Sequence, residues 1–443
     1  MEAGRSPTLA LPDRNPMTAR PVAFDLTRLI TRVRHASPTG IDRVDLAYAR
    51  WIFGGAGARF GVVSTPFGPR VLDGPEAVAI VEAVAAGWTE DVAAEDDPVW
   101  LDLATRLGME AVTVGKPRPA GGRRTGRTRL QAAMRLQASR GAGPERLPSG
   151  TLYLHTSHLR LDRPERFDWL YDRRDVRPVF FVHDLIPISH PEYGRAGEAA
   201  RHRVRMLTMA RHAAHIIANS ADVATRFAEH VAADGFARPA VTVAPLGVEP
   251  AFAPPAIGGR SFPRPTFVVC GTIEPRKNHW ILLHLWRRLS ERLGSATPDL
   301  VLVGRRGWDI QNVANLLDRC PAMPGHVHEV GGLTTPGLVR LMQCATALLM
   351  PSFIEGYGLP LVEAAACGLP VVASDIAVHR EVAGRFAHFV DPLDGPGWSK
   401  AVTDLGAPHS PLRASLIDRS STYEPPTWGA HFARVAKALA AIA

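Results

Sequence analysis

The chain has 443 residues, of which 46% are apolar and 21% are charged. At roughly 100–200 residues per domain this length predicts two or three domains, and the composition excludes wholesale disorder. The apolar runs are shorter than the roughly 20 residues of a membrane-spanning helix, which excludes a spanning segment.

The first 20 residues contain Glu2 and Asp13 and no long apolar stretch. We therefore expect a flexible N-terminus rather than a secretory signal. The cysteines are widely spaced and form no Cys-x-x-Cys pair, which predicts reduced, partly buried thiols in a cytoplasmic protein. They are Cys270, Cys320, Cys344 and Cys367.

Short apolar, β-branched runs alternate with helical patterns along the chain. In the first half they are residues 21–26, 61–66, 151–155, 178–184, 215–220 and 241–247. In the second half they are residues 266–272, 299–304, 327–332, 347–352, 370–374 and 388–392. Runs of this kind are typical of parallel strands buried on both faces, and their alternation with helices predicts right-handed β-α-β units.

A Pro-, Gly- and Ser-rich linker at 251–265 separates the two sets of strands. We therefore predict an α/β protein with two Rossmann-like, doubly wound domains, residues 21–255 and 256–424, that face a cleft. Residues 425–443 predict an amphipathic closing helix. Its apolar stripe consists of Trp428, Phe432, Val435, Leu439 and Ile442.

The formal net charge of +8 is concentrated in one segment. Residues 116–140 hold eight basic residues and no acidic residue, within a stretch, 116–150, that we expect to be loosely ordered. Three interpretations are open: a solvated insert, a peripheral contact with anionic lipid headgroups, or a nucleic-acid-binding arm. No aromatic residues interleave with the arginines, which argues against base stacking and nucleic acid.

The strongest motif is PSFIEGYGLPLVEAAACGLPVVASD at 351–375. It predicts a strand, a glycine turn and a helix that begins near Leu359, whose free N–H groups attract phosphate. Glu355 precedes the turn and Glu363 lies one turn into the helix, where carboxylates can accept from ligand hydroxyls. The alternative is that both merely complement the helix N-terminus. The donor-binding residues predicted here are Gly356, Tyr357, Gly358, Leu359 and Glu363, with Glu355 as a catalytic residue.

The second motif, VVCGTIEPRKNHWILL at 268–283, places Arg276 and Lys277 just after a buried strand. The carboxyl edge of a parallel sheet is where such folds bind ligands. The chain has few lysines, and a compact ammonium can approach a phosphate oxygen as a point charge. The alternative is a solvated turn with ordinary ion pairs.

Together these motifs resemble the retaining glycosyltransferases of family 4, which have the GT-B fold. Glu355 and Glu363 match that family's two-glutamate motif, with seven residues between them. Further matching segments are EPRKN (274–278), VLVGRRGW (301–308), VGGL (330–333) and SDIAVHREVAG (374–384). The resemblance is dense over about 260–443 and thinner before that.

The resemblance implies that Glu355 contacts the donor sugar, that Glu363 holds the ribose hydroxyls, and that Arg276 and Lys277 stabilise the departing diphosphate. Many members place an arginine where this chain has Thr272. Either Arg276 takes over that role or the clamp on the diphosphate is weaker.

Two further candidates lie in the first half. Gly40, in RHASPTGIDRV (34–44), could let the backbone approach a phosphate, and His183 ends a predicted strand where the family carries a cleft histidine. Both residues also have purely structural explanations. We interpret the acidic turn 95–97 as solvated surface. The donor half contains no Asp-x-Asp, so neither a metal nor another cofactor is implied.

We therefore predict a cytoplasmic glycosyltransferase that moves a hexose from a nucleotide diphosphate sugar to a saccharide or lipid-linked saccharide. A peripheral position on the inner membrane is left open. Resemblance to bacterial enzymes of surface polysaccharide synthesis favours mannose and GDP-mannose. One alternative is a nucleotide-sugar epimerase, which would need an acid–base cluster beyond His183. The other is a nucleic-acid-binding module that uses residues 116–140.

Overall fold

The structure is a computed structural model that describes residues 20–33, 38–88, 92–109, 131, 133–136, 138–255 and 261–442. The predicted flexible N-terminus, apart from Arg20, therefore lies outside the described residues. So do the most basic part of the predicted insert, residues 116–130, and the centre of the predicted linker, 256–260.

The N-terminal half is built on a seven-stranded sheet in the order β3-β2-β1-β4-β5-β6-β7. Its strands are β1 (Val22–Asp25), β2 (Arg59–Thr65), β3 (Gly68–Asp73), β4 (Leu152–His155), β5 (Arg177–Val182), β6 (His215–Ala218) and β7 (Val241–Val243). All neighbours pair in parallel except β2 and β3. The sequence analysis does not predict β3, because this edge strand is half-exposed and shows no continuous apolar run.

The C-terminal half is built on a six-stranded parallel sheet in the order β10-β9-β8-β11-β12-β13. Its strands are β8 (Thr266–Cys270), β9 (Asp299–Val303), β10 (Val327–Val330), β11 (Ala347–Met350), β12 (Val371–Ser374) and β13 (Ala387–Val390). All six coincide with predicted strands, and β8, β11 and β12 are buried at every position. The predicted α/β fold with two doubly wound sheets is therefore confirmed.

Helices cover the faces of both sheets. In the N-terminal half they are Thr27–Arg32, Gly40–Phe53, Gly74–Gly87, Pro98–Arg106, Trp169–Asp172, Ile186–Ser189, Glu198–His212 and Ala221–Ala233. In the C-terminal half they are His279–Leu293, Gln311–Arg319, Thr335–Cys344, Leu359–Ala366, Ala377–Ala383, Gly395–Gly406, Pro411–Ser421 and Trp428–Ala440.

The last helix, Trp428–Ala440, crosses back to the first half of the chain. The ring of Phe432 stacks on Trp51 with centroids 4.5 Å apart, and it meets Tyr48 edge-on at 5.1 Å. Such pairs contribute about 0.5–1.5 kcal/mol beyond their buried area. The predicted closing helix is confirmed, and it ties the C-terminus to the N-terminal core.

The C-terminal part of the predicted loose insert is packed, which corrects the expectation for 116–150. Gln131 donates to the carbonyls of Ile30 and Thr31, and Met134 is buried. Residues 144–146 form a short 3-10 turn, and Leu147 is buried. A few well-placed apolar side chains are enough to order this stretch, although its overall composition is polar.

Both sheets reverse their strand order at one crevice, and the candidate residues gather there. The reversal lies between β1 and β4 in the first sheet and between β8 and β11 in the second. Open α/β sheets bind ligands at such switch points, beyond the carboxyl ends of the strands. The loop after β8 carries Arg276 and Lys277, and the loop after β11 carries Glu355.

Within the described residues, no helix combines the length and apolar character that crossing a membrane requires.

Candidate active site

Glu355 lies at the centre of a buried ion cluster in the C-terminal half. Its Oε2 is 2.6 Å from Nη1 of Arg276, and its Oε1 is 2.5 Å from Nζ of Lys277. The hydroxyl of Ser352 donates to Oε1 at 2.9 Å. Arg276 also reaches Oε1 of Glu274 at 2.6 Å. The structure thus brings together the two motifs that the sequence analysis singled out.

The cluster sets the protonation of its members. Burial by itself raises the pKa of Glu355, but Arg276 and Lys277 outweigh it and hold this pKa well below the usual range. Burial also lowers the pKa of Arg276, yet Glu355 and Glu274 raise it overall. At Glu274 the effect of burial is larger than that of Arg276 and Lys277, so the pKa of Glu274 is raised. Glu355 is therefore a carboxylate at neutral pH, held between two cations.

The turn after Glu355 is shaped by glycine at two positions. A Cβ on Gly356 would lie 2.4 Å from the carbonyl oxygen of His183, so only glycine allows the two halves to approach there. Gly358 has φ of 92° and precedes the helix Leu359–Ala366 as its N-cap. The side chain of Tyr357 is buried, and its hydroxyl donates to the carbonyl of Leu246. Tyr357 therefore offers a ligand its backbone rather than its ring.

The helix Leu359–Ala366 begins where the sequence predicts, and its N-terminus faces the other half of the chain. A Cβ on Gly40 would lie 3.6 Å from Cδ1 of Leu359, so the helix Gly40–Phe53 starts directly opposite. Glu363 is nine-tenths buried, and its Oε1 lies 3.1 Å from Nη1 of Arg43 on that helix. Two helix N-termini therefore converge beside an ion pair that spans the cleft.

His183 lies at the end of β5, on the floor of the same cleft. Its Nε2 lies 2.6 Å from the carbonyl oxygen of Thr156, which assigns the ring proton to Nε2. Burial lowers its pKa to about 4, so the ring is neutral at neutral pH. Its own carbonyl accepts from Nδ2 of Asn219 at 3.0 Å. The ring can accept a hydrogen bond at Nδ1 but cannot serve as a charged acid.

The sequence analysis missed His379, which follows β12 and is fully buried beside the glycine turn. Its Nδ1 donates to the carbonyl of Ser374 at 3.0 Å, and its Nε2 has no hydrogen-bond partner among the described residues. Burial lowers its pKa to about 4, although Glu355 opposes this shift. A neutral ring with an unpaired nitrogen next to Gly358 is suited to accept from a ligand hydroxyl.

Several contacts hold the two halves against each other, and one of them corrects a prediction. Asp97, interpreted from the sequence as part of a solvated turn, is 1% exposed. Its Oδ2 accepts from the backbone N–H and the hydroxyl of Thr334 at 2.9 and 2.8 Å. Glu95 and Asp96 are exposed, as predicted, whereas Asp97 holds the residue that caps the helix Thr335–Cys344 of the other half, a contact that no local pattern reveals.

A second contact of this kind involves Glu381. Its carboxylate accepts from the N–H groups of Ala221 and Asp222, which begin a helix of the N-terminal half. The adjacent Ser220 caps that helix, as the sequence predicts, and its hydroxyl also donates to the carbonyl of Gly356 at 3.2 Å. The site is thus closed by bonds to the glycine turn itself.

The four cysteines are free thiols, as predicted. Among the residues that the structure describes, no group of three or more His, Cys, Asp or Glu side chains could hold a metal ion.

Comparison with known proteins identifies the fold and the C-terminal domain. Residues 264–407 match the family described as Glycosyl transferases group 1. HepE from Anabaena, solved with UDP and glucose, has a TM-score of 0.60 at 16% identity over 95% of this chain and 99% of that one. The fold is therefore that of the GT-B glycosyltransferases, as the resemblance implied, and the family match lies within the C-terminal half.

Curated relatives match parts of the chain. The serotype-specific mannosyltransferase WbdA of Escherichia coli is 29% identical over 239 residues, which are 51% of this chain and 29% of WbdA. The O-antigen chain mannosyltransferase RfbU of Salmonella typhimurium is 43% identical over 141 residues, or 31% of this chain and 38% of RfbU. The chain thus spans well under half the length of either relative.

Proposed function

We propose that this protein is a retaining glycosyltransferase that moves a hexose, with mannose favoured, from a nucleotide diphosphate sugar to a saccharide or lipid-linked saccharide of a surface polysaccharide. The observation that carries the proposal is the cluster of Glu355, Arg276 and Lys277 at the N-terminus of the helix Leu359–Ala366. GDP-mannose is the favoured donor because WbdA and RfbU are mannosyltransferases.

The chemistry follows from the charges in the cluster. As the glycosidic bond of the donor loosens, negative charge grows on the leaving diphosphate, and Arg276, Lys277 and the helix N–H groups are fixed in place to stabilise it. Positive charge grows on the sugar, and the carboxylate of Glu355 lies beside it in a buried environment. These groups need no reorganisation in the transition state, which is the main source of such stabilisation.

We assign no protein nucleophile to the transfer. Both carboxylate oxygens of Glu355 are bound to cations, and the neutral ring of His183 donates its N–H to the carbonyl of Thr156. In a front-face reaction the leaving phosphate itself accepts the proton of the acceptor hydroxyl, and the sugar keeps its anomeric configuration. We also propose a metal-independent reaction, in which Arg276 and Lys277 supply the positive charge for the diphosphate.

The donor can be identified by thermal shift with GDP, UDP, dTDP and ADP, followed by transfer assays with the matching sugar nucleotides. We expect GDP to raise the melting temperature most and GDP-mannose to be consumed in the presence of a mannose-terminated acceptor and EDTA. The anomeric coupling of the product, measured by NMR, reports retention. Failure of all four diphosphates to bind would refute the proposal, and an inverted product would refute its stereochemistry.

A further inference from the structure

Arg43 is the feature of the site that the proposed function leaves unexplained. It belongs to the helix Gly40–Phe53 of the N-terminal half, yet its guanidinium pairs with Glu363 of the C-terminal half. Its side chain is 20% exposed and that of Glu363 is 7% exposed. A partly exposed cation therefore lies over a buried carboxylate that the donor is expected to use.

The charges of the C-terminal half show why a cation from elsewhere is needed. Glu274 and Glu355 contact Arg276, Glu355 also contacts Lys277, and Glu363 belongs to the helix that begins just after this cluster. Both cations are already engaged by Glu355. A diphosphate entering this half by itself would meet more carboxylates than cations, which is an unfavourable environment for an anion.

Arg43 lies beside the N-terminus of the helix Leu359–Ala366, the place that the proposed function assigns to the diphosphate. The helix of Arg43 starts opposite Leu359, and the Nζ of Lys277 lies 3.3 Å from where a Cβ on Gly271, just after β8, would be. Glu363 can exchange its ionic partner for two ribose hydroxyls, because a carboxylate accepts from adjacent hydroxyls. The guanidinium would then be released next to the phosphate oxygens, which it can bind in bidentate fashion.

We propose that Arg43 is a diphosphate-binding residue, held by Glu363 until the donor arrives, so that the anion site is complete only when both halves of the chain are closed around it. The inference rests on the proposed function for the identity of the donor. It adds that the half of the protein assigned to the acceptor supplies a cation to the leaving group. Closure of the cleft and stabilisation of the diphosphate are therefore one event.

Inorganic pyrophosphate is the probe that separates this role from a purely structural one, because it has neither base nor ribose. At low ionic strength we expect Arg43→Ala to weaken pyrophosphate and GDP at least about tenfold, the loss typical of one charge-assisted hydrogen bond. Arg43→Lys should lose less. The control Arg203→Ala removes an exposed cation that pairs with Asp234 on the surface, and it should leave both affinities unchanged.

Two double variants sharpen the test. If Arg43 acted only by positioning Glu363, Arg43→Ala would have no further effect on GDP binding in a Glu363→Gln background, whereas our proposal expects the full loss. Thr272 is exposed at the end of β8, so Arg43→Ala combined with Thr272→Arg should recover pyrophosphate binding and turnover. Melting temperatures identify any variant that fails to fold. If Arg43→Ala does not fold, the pyrophosphate affinity of Arg43→Lys is compared with that of the wild type instead.

Unchanged pyrophosphate affinity in folded Arg43→Ala would overturn the inference. That outcome is distinct from failure of the proposed function, which would show as a wild-type protein that binds pyrophosphate through Arg43 but transfers no sugar.

Discussion

The ammonium nitrogen of Lys277 lies 2.5 Å from Oε1 of Glu355, and both side chains are more than nine-tenths buried. Removing one member of a buried pair leaves the other uncompensated, which costs several kcal/mol. Replacing such a pair by apolar residues is often neutral or stabilising, so a buried pair is weak evidence for a structural role. Its place at the switch point of the second sheet favours a chemical role instead.

Lys277→Ala should therefore lower kcat strongly. The loss of one fixed donor to transition-state charge costs about 10²–10³ in kcat. Lys400→Ala is the matched control, because Lys400 is exposed and pairs within one helix with Asp404. Steady-state transfer kinetics, with melting temperatures for both variants, check the prediction. An unchanged kcat in folded Lys277→Ala would remove this residue from the proposed mechanism.

The two glutamates should separate in their effects. Glu363→Ala should weaken binding of the nucleoside diphosphate by about tenfold or more, since a carboxylate that accepts from ribose hydroxyls contributes roughly 1.5–3 kcal/mol. Glu355→Ala should chiefly lower turnover, because the proposed mechanism assigns its carboxylate to the sugar. Calorimetric titration with GDP alone measures the first effect, and transfer kinetics measure the second. Equal losses of GDP affinity in both variants would contradict this division of roles.

The imidazole of His431 should make stability depend on pH. Burial lowers its pKa from 6.5 to about 4, while Nδ1 donates to the carbonyl of Pro245 and the hydroxyl of Tyr48 donates to Nε2. The unfolded chain takes up a proton near pH 6.5 and the folded protein only near pH 4, so stability is lost as the pH falls through this window. A shift of this size corresponds to about 3 kcal/mol.

His431→Gln, which does not titrate, tests this dependence. Its urea midpoint should fall less than that of the wild type between about pH 7 and about pH 5. His190→Gln serves as the control, because His190 is partly exposed and directly follows the helix Ile186–Ser189. If His431→Gln and the wild type lose stability in parallel, the pH dependence arises elsewhere.

Glu381→Ala should loosen the contact between the halves. The variant leaves the first N–H groups of the helix Ala221–Ala233 without their acceptor, a cap whose loss costs about 0.5–2 kcal/mol. We expect the radius of gyration from small-angle X-ray scattering to rise and the KM for the donor to increase. Glu291→Ala, which removes a pair with Arg287 inside one helix, should change neither.

Deleting 116–129 should abolish any binding to anionic membranes. This segment carries six of the eight basic residues and excludes the buried Gln131 and Met134, so the core should stay intact. The wild type is expected to float with phosphatidylserine liposomes and to be released by salt, because the Debye length falls from about 10 Å at 0.1 M to about 3 Å at 1 M. Equal flotation of the deletion variant would show that the segment is only a solvated insert.

The sequence by itself determined most of the strands, their division into two sheets and the local parts of the site. Most strands of the second sheet are short apolar runs with turn residues around them, and the helix at Leu359 begins just after a glycine. These signals lie within a few residues of each other, so they can be seen without a structure. The edge strand β3 was not predicted, because it is only half-buried and so lacks a continuous apolar run.

Only the tertiary structure decided which distant groups meet in the cleft. Arg43 and Glu363 are 320 positions apart, and Asp97 and Thr334 are 237 apart. In the segment that contains Arg43, the sequence analysis named only Gly40 as a candidate. It interpreted the turn that contains Asp97 as solvated surface. An ionisable side chain carries no local sign of its partner, because charge acts through space and chain folding sets that distance. The closed cleft, and with it the set of charges at the candidate site, is therefore a property of the fold.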